Sequence, residues 1–244
     1  MKILSYLLSP IFACVFFMLL FIFHPLQWIA LNVFGYKGHK FIVDSMNWFL
    51  VKSLLVLAIP VKVKNDHELP MDTTLIFVSN HQGIFDIPPI ISSFKKYHPK
   101  FVSKIELGKG IPSISYNLRK GGAALIDRED GKQAIATLAN FAKRINKNKW
   151  GAVIFPEGTR SRNGTPKRFA SSGLKIITKY NKDGYVVPLT INNSWKVFKY
   201  GKFPFGLGSP ITITTHKPIK ISSLPFEELL EKTETIIKEH IKQK

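Results

Sequence analysis

The sequence predicts an α/β domain, a mixed sheet flanked by helices, preceded by an N-terminal membrane-associated helical region. Three observations predict it. From residue 73 onward, short β-branched and aromatic runs alternate with amphipathic helical segments, the pattern of an α/β layer fold. Polar tips follow several of those runs directly, and open α/β sheets collect ligands at strand carboxyl ends. Ahead of them, residues 3–23 carry no charge and are long enough to cross a bilayer core of ~30 Å.

The chain has 244 residues, enough for one sizeable core with an appendage, and its 45% hydrophobic content excludes general disorder. Lys and Arg number 35 against 16 Asp and Glu, a formal net charge of +19 that exceeds what solubility needs. Nucleic acid, anionic lipid and phosphorylated substrates all fit that charge. Cys14 is the only cysteine and lies in an apolar run, so the sequence holds no disulfide framework, Cys-based metal site or redox pair. A reducing, cytoplasmic setting for the main domain follows.

Residues 1–62 are expected to be membrane-anchoring helices and residues 63–244 the α/β domain. Lys2 before an apolar run resembles a signal peptide, but His24-Pro25-Leu26-Gln27-Trp28 offers no small-x-small cleavage site, which favours a retained anchor. Lys2, Lys37 and Lys40 flank the run on both sides and leave its orientation open. Residues 48–61, with Lys52 inside and Pro60 near the end, read either as a helix dipping into one leaflet or as a core helix. Trp28, Tyr36 and Trp48 are placed as interfacial anchors. Residues 62–72 are basic and polar.

Strands are expected at residues 75–78, 101–103, 123–126, 152–155, 185–189 and 211–215. Residues 132–145 place Ile135, Leu138, Ala139 and Ala142 at helical spacing, 172–180 reads as a short helix, and 226–242 follows Pro225 with Leu229, Leu230, Ile236, Ile237 and Ile241 at broadly helical intervals.

The stretch NHQGIFD, Asn80 to Asp86, follows the first expected strand, so His81 emerges just past a strand end. Asp86 can bend back to hold the imidazole tautomer while the free nitrogen takes a proton. A turn beside a helix cap produces the same pair, so the other tips decide. GGAALIDR ends a run on Asp127 and Arg128, and FPEGTRS ends another on Glu157 and Arg160 with a turn that Gly158 permits. Arg128, Arg160 and Lys104 would make a cationic pocket for a phosphate, Arg being suited to bidentate contact. A lone arginine is normally a solvated surface charge, and two closely following buried runs weaken that reading.

NHQGIFD, GGAALIDR, FPEGTRS and the later Val186-Val187-Pro188-Leu189 resemble, in order and spacing, the four motifs of the glycerolipid acyltransferases, over residues 74–190. Gly83 departs from the pattern, since many relatives carry Ser or another small residue there. The resemblance, nearest to the members that act on lysophosphatidic acid, implies transfer of a fatty acyl group from acyl-CoA or acyl carrier protein to that lipid's free hydroxyl, giving phosphatidic acid at the cytoplasmic face of a bilayer. It implies that His81 deprotonates the hydroxyl, that Asp86 orients His81, and that Arg128 with Glu157, Gly158, Thr159 and Arg160 binds the acceptor. It also implies no metal, no cofactor and no covalent acyl-enzyme.

The residues read alone agree with direct transfer. A hydroxyl attacking a thioester needs a general base worth ~100-fold to 10,000-fold, and the sequence shows no nucleophile-elbow serine or reactive cysteine for a covalent route. Two alternatives stand beside it: an acyltransferase for another lysolipid, such as a lyso-ornithine lipid, and a non-catalytic basic membrane-binding protein. The cluster Arg128, Arg160, Arg162, Lys167 and Arg168 favours a bare phosphate over a larger headgroup. A binding module has no need of His81, Asp86 and Glu157 together. The lysines and arginines are dispersed and form no nucleic-acid module, so no nucleic acid partner is expected.

Overall fold

A computed structural model describes residues 2–242. Eight strands form one sheet: β1 (Val61–Lys64), β2 (Leu75–Ser79), β3 (Lys100–Lys104), β4 (Ala124–Ile126), β5 (Ala152–Ile154), β6 (Tyr185–Asn192), β7 (Ile211–Thr215) and β8 (Ile219–Lys220). Their order is β1-β7-β6-β2-β5-β3-β4, with β8 beside β6. The run from β6 to β4 is parallel throughout, so five strands present their carboxyl ends along one edge. β7 and β8 pair antiparallel to β6, which makes the sheet mixed, as expected.

Strand periodicity assigns the two faces. Along β2, Leu75 and Phe77 point to a core shared with Phe12 and Val43 of α1 (Lys2–Ser53) and Ile90 and Ile91 of α2 (Ile87–Ser93). Ile76 and Val78 point the other way, onto Leu138, Phe141 and Ile145 of α4 (Gly131–Asn148), Leu174 and Ile177 of α5 (Ser171–Lys179), and Leu229 and Ile237 of α6 (Phe226–Glu239). A short α3 (Ile114–Lys120) lies between β3 and β4 in the chain. With apolar contacts on both faces, Leu75-Ile76-Phe77-Val78 of β2 reads as an unbroken apolar run, and only Ser79 at the carboxyl end of the strand is polar. Asp130 caps α4 by accepting from Gln133 N at 2.9 Å.

α1 is a helical hairpin rather than one rod. Gly35 adopts φ 62°, ψ −154°, a conformation closed to most side chains, and the chain reverses there. Gln27 Nε2 donates to Met46 Sδ at 3.4 Å, and Leu20, Phe23, Met46 and Leu50 form a small core between the limbs. In a straight helix residues 27 and 46 would stand about 28 Å apart. The first limb is tied to the α/β domain along its length: Phe205 N donates to Ser9 Oγ at 2.8 Å, Phe12 meets Phe85 edge to face at 5.6 Å, and Ser113 N donates to His24 Nδ1 at 3.0 Å. Its opposite face leaves Ile3, Leu7, Phe17, Phe21, Ile22, Trp28, Val33 and Phe34 exposed. By length and composition this helix could cross a membrane, and only 22% of its most apolar window is buried.

Residues 48–61 do not make a single helix of either expected kind. α1 ends at Ser53, a 3₁₀ turn follows at Leu54–Leu57, Ala58 takes a left-handed conformation, and Val61 opens β1. The stretch divides its side chains: Leu50, Leu54 and Leu57 are core, whereas Trp48, Phe49 and Leu55 are exposed. Residues 62–72, read from the sequence only as basic and polar, contain most of β1, an edge strand guarded by exposed Lys62 and Lys64. The six expected strands are all present, and β6 continues three residues further, to Asn192.

Phe77 is fully buried and tilts against Phe94 at 4.8 Å, so Phe77→Ala should cost about 3–5 kcal/mol. Val63→Ala on the exposed edge should change stability by no more than about 0.5 kcal/mol. Denaturant unfolding of the detergent-solubilised protein measures both.

Candidate active site

The carboxyl end of β2 delivers the chain into a loop with little freedom. Asn80, fully buried, donates from Nδ2 to Ile191 O and accepts at Oδ1 from Ile191 N, both at 2.8 Å, so its side chain pairs with β6 as a peptide group would. His81 then leaves the sheet. Its backbone N–H donates to Glu157 Oε1 at 2.8 Å, and its carbonyl accepts from Ser161 N at 2.7 Å and Ser161 Oγ at 3.1 Å. The imidazole lies on the Phe155 ring with centroids 4.1 Å apart and planes 16° from parallel.

Asp86 returns to the ring through a 3₁₀ turn at Ile84–Asp86. One oxygen, Oδ2, accepts from His81 Nδ1 at 2.7 Å, Gln82 N at 2.7 Å and Gly83 N at 2.9 Å, while the residue is wholly buried. A carboxylate only accepts, so the ring proton sits on Nδ1 and Nε2 keeps its lone pair. The His81 side chain is 19% exposed, whereas Asp86 is fully buried. The His81–Asp86 contact therefore fixes the tautomer of the His81 ring.

Glu157 was expected among groups that bind the acceptor, yet each of its oxygens is already engaged: Oε1 on His81 N and Oε2 on Lys167 N at 2.9 Å. It ties the FPEGTRS loop to the backbone of His81 on one side and of Lys167 on the other. Burial pushes its carboxyl above the ordinary value, against the opposing pull of those two N–H groups. Gly158 turns the loop at φ +70°, and the Arg128 guanidinium donates to Gly158 O, joining the two cationic loops. Thr159 and Arg160 are exposed beyond that turn. Lys104 is exposed at the end of β3, two strands from β2, and makes no hydrogen bond to these groups among the described residues.

Sequence reasoning missed Asn80, Phe155, Ser161 and the Lys167 backbone as supports of His81. Their signal was partly present: Asn80 is the polar residue that ends a buried run, and Phe155 and Ser161 bracket FPEGTRS. Gly83 has a local reason as well, because a Cβ there would stand 3.0 Å from Ser194 Oγ. Val186, Val187 and Leu189 are fully buried in β6 and brace β2 instead of lining the site.

A family model described as Acyltransferase matches residues 60–192, more than half of the chain, and that match spans His81, Asp86, Arg128, Glu157 and Arg160. The chain belongs to the acyltransferase family. The chain is 28% identical over 202 residues to 1-acyl-sn-glycerol-3-phosphate acyltransferase BAT2, chloroplastic, of Brassica napus, covering 78% of this chain and 57% of that protein. It is 35% identical over 127 residues to 1-acyl-sn-glycerol-3-phosphate acyltransferase of Helicobacter pylori, covering 50% of each. The chain thus spans about half the length of these curated relatives. The crystal structure of the 1-acyl-sn-glycerophosphate (LPA) acyltransferase PlsC from Thermotoga maritima shares the fold, with a TM-score of 0.77, 23% identity, and coverage of 98% of this chain and 93% of that one.

Glu157→Gln keeps one acceptor but sets an amide NH₂ against a backbone N–H, at a cost of about 1–3 kcal/mol at neutral pH. The wild-type carboxyl, raised in the folded protein, holds its proton to higher pH than in the unfolded chain. Between those two values folding takes up a proton, so this group's contribution to stability falls as pH rises. Unfolding free energies from mildly acid to neutral pH should show that slope in the wild type and lack it in Glu157→Gln.

Proposed function

We propose that this protein transfers a fatty acyl group from an acyl thioester, acyl-CoA or acyl carrier protein, to the free hydroxyl of lysophosphatidic acid, giving phosphatidic acid. The observation that carries the reading is the His81–Asp86 contact at 2.7 Å, with Nε2 left open at a sheet edge where the Arg128 and Arg160 loops meet. His81 Nε2 takes the acceptor's proton as its oxygen attacks the thioester carbon. The Asp86 carboxylate offsets the charge of the imidazolium formed. The C–S bond then breaks and the departing thiolate receives a proton, so no covalent acyl-enzyme is required.

Arg128 and Arg160 hold the acceptor phosphate, and Lys104 adds charge at the rim. Gly158 and Thr159 shape the loop between the arginines, and Glu157 holds that loop to His81. The relatives' names, each a 1-acyl-sn-glycerol-3-phosphate acyltransferase, support this acceptor. Residues 1–62 serve as the membrane anchor and 63–244 as the catalytic domain. The outward apolar face of α1 supports residence at a bilayer, where lysolipid and product partition, with the cleft on the cytoplasmic side.

Purified protein in detergent, given labelled acyl thioester and a panel of lysolipids, should acylate lysophosphatidic acid in preference to lysolipids with larger headgroups. His81→Ala should lower kcat by about 10²–10⁴-fold, and Asp86→Asn should be impaired comparably, with the far-ultraviolet circular dichroism of both unchanged. Retention of a tenth or more of wild-type turnover by His81→Ala would remove His81 from the role of base.

Arg160→Ala removes a charge-assisted contact and should raise the KM for the acceptor by roughly tenfold to a hundredfold while kcat changes little. Steady-state kinetics with the acceptor varied at saturating thioester tests this. An unchanged acceptor KM with lost turnover would move Arg160 from phosphate binding to the reaction centre.

A further inference from the structure

Residues 195–205 carry lysines and aromatic rings in alternation: Trp195, Lys196, Phe198, Lys199, Tyr200, Lys202, Phe203 and Phe205. The rings divide into two sets. Phe198 stacks on Phe85 at 5.6 Å and Phe205 meets Phe12 edge to face at 5.3 Å, so these two fasten the segment to the core. Tyr200 and Phe203 face outward, 36% and 52% exposed, with Lys199 and Lys202 exposed beside them.

That outer set abuts the start of α1. Tyr6 meets Phe203 edge to face at 5.5 Å, and Lys2 Nζ and Lys199 Nζ lie 5.8 Å and 4.9 Å from the Tyr200 centroid. The apolar row of α1 begins at the same place, with Ile3 88% and Leu7 64% exposed. No Asp or Glu occurs in residues 1–43 or in residues 184–226, so the two segments that meet here carry only positive charge.

We infer that the loop at residues 199–203, together with the first turns of α1, is a second lipid-contacting surface that takes the headgroups of an anionic phospholipid bilayer. The inference rests on the proposed membrane residence and adds to it a surface of the α/β domain and a lipid charge. Amphipathic rings and long lysines are the side chains that settle at a headgroup boundary, rings towards the acyl chains and ammonium groups towards phosphate. An acidic carrier protein would also be drawn to the lysines. Continuity of Phe203 with the apolar row through Tyr6 favours the bilayer, because a soluble acidic partner would leave that row uncovered. Contacts at Ser9 and at His24 tie the first limb to the α/β domain, the first of them to Phe205, two residues past the loop.

Full-length protein in a Cys14→Ser background, with one new cysteine carrying an environment-sensitive fluorophore, tests this. Phe203→Cys reports the loop, Phe21→Cys the exposed row of α1, and Ile135→Cys an exposed position of α4 on the opposite face of the sheet. On phosphatidylcholine vesicles containing phosphatidylglycerol, labels at 203 and 21 should shift to the blue and the label at 135 should not. Adding Lys199→Glu and Lys202→Glu should weaken the response at 203 by about fivefold for each positive charge removed.

A label at 203 that behaves like the one at 135 while 21 responds overturns the inference and leaves membrane residence standing. Silence at both 21 and 203 overturns membrane residence and the inference with it. A response at 203 that ignores phosphatidylglycerol overturns the selectivity for anionic lipid. A label at 203 that is silent on vesicles but responds to added acidic acyl carrier protein assigns the surface to that soluble partner and overturns the inference.

Discussion

A buried carboxylate has to be surrounded by donors, and the arrangement of this site follows from that need at Asp86. Its Oδ2 gathers a ring N–H and two backbone N–H groups, which offset part of the loss of water around a fully buried group, while Oδ1 is buried with no hydrogen-bond partner among the described residues. To bring those donors round, residues 80–86 must wrap tightly, and the wrap must start from a fixed point. β2 provides it, held between β5 and β6, and the Asn80 side chain extends the pairing with β6 one residue beyond the strand. The orientation of the imidazole and the integrity of the central sheet are thus one physical problem.

The same reasoning separates what the sequence disclosed from what it withheld. Core strand segments such as residues 75–78 and 186–189 read clearly, since apolar neighbours on both faces leave no polar position in the run. β1 was hidden because an edge strand with Lys62 and Lys64 outward has the composition of a linker. α2 was hidden by Pro88 and Pro89, which look like loop punctuation yet suit the first turn of a helix. The reversal at Gly35 depends on contacts between residues far apart in the chain, such as Gln27 with Met46, and local periodicity carries no trace of them.

At the site, the pairing of His81 with Asp86 was legible from residue type and spacing. The work of Glu157 was not, because an acidic residue in a basic loop reads as a ligand group until both of its oxygens are seen on backbone N–H groups. Phe155 was assigned to a strand and turned out to be the platform under the imidazole. In both cases the side chain supports the His81 loop through backbone or ring-face contacts, and neither contact has a signature in composition.

The attachments along the first limb of α1, at Ser9, Phe12 and His24, hold its apolar row at a set level relative to His81. On the proposed reading, an acceptor can offer its hydroxyl to His81 while its chain stays among other lipids beside that row. Full desorption would cost ~0.8 kcal/mol for each methylene withdrawn, on the order of ten kcal/mol for a long acyl chain. Substrate capture then becomes a search in two dimensions, set by lateral diffusion within a leaflet, and the activation barrier need not include extraction of the lipid into water.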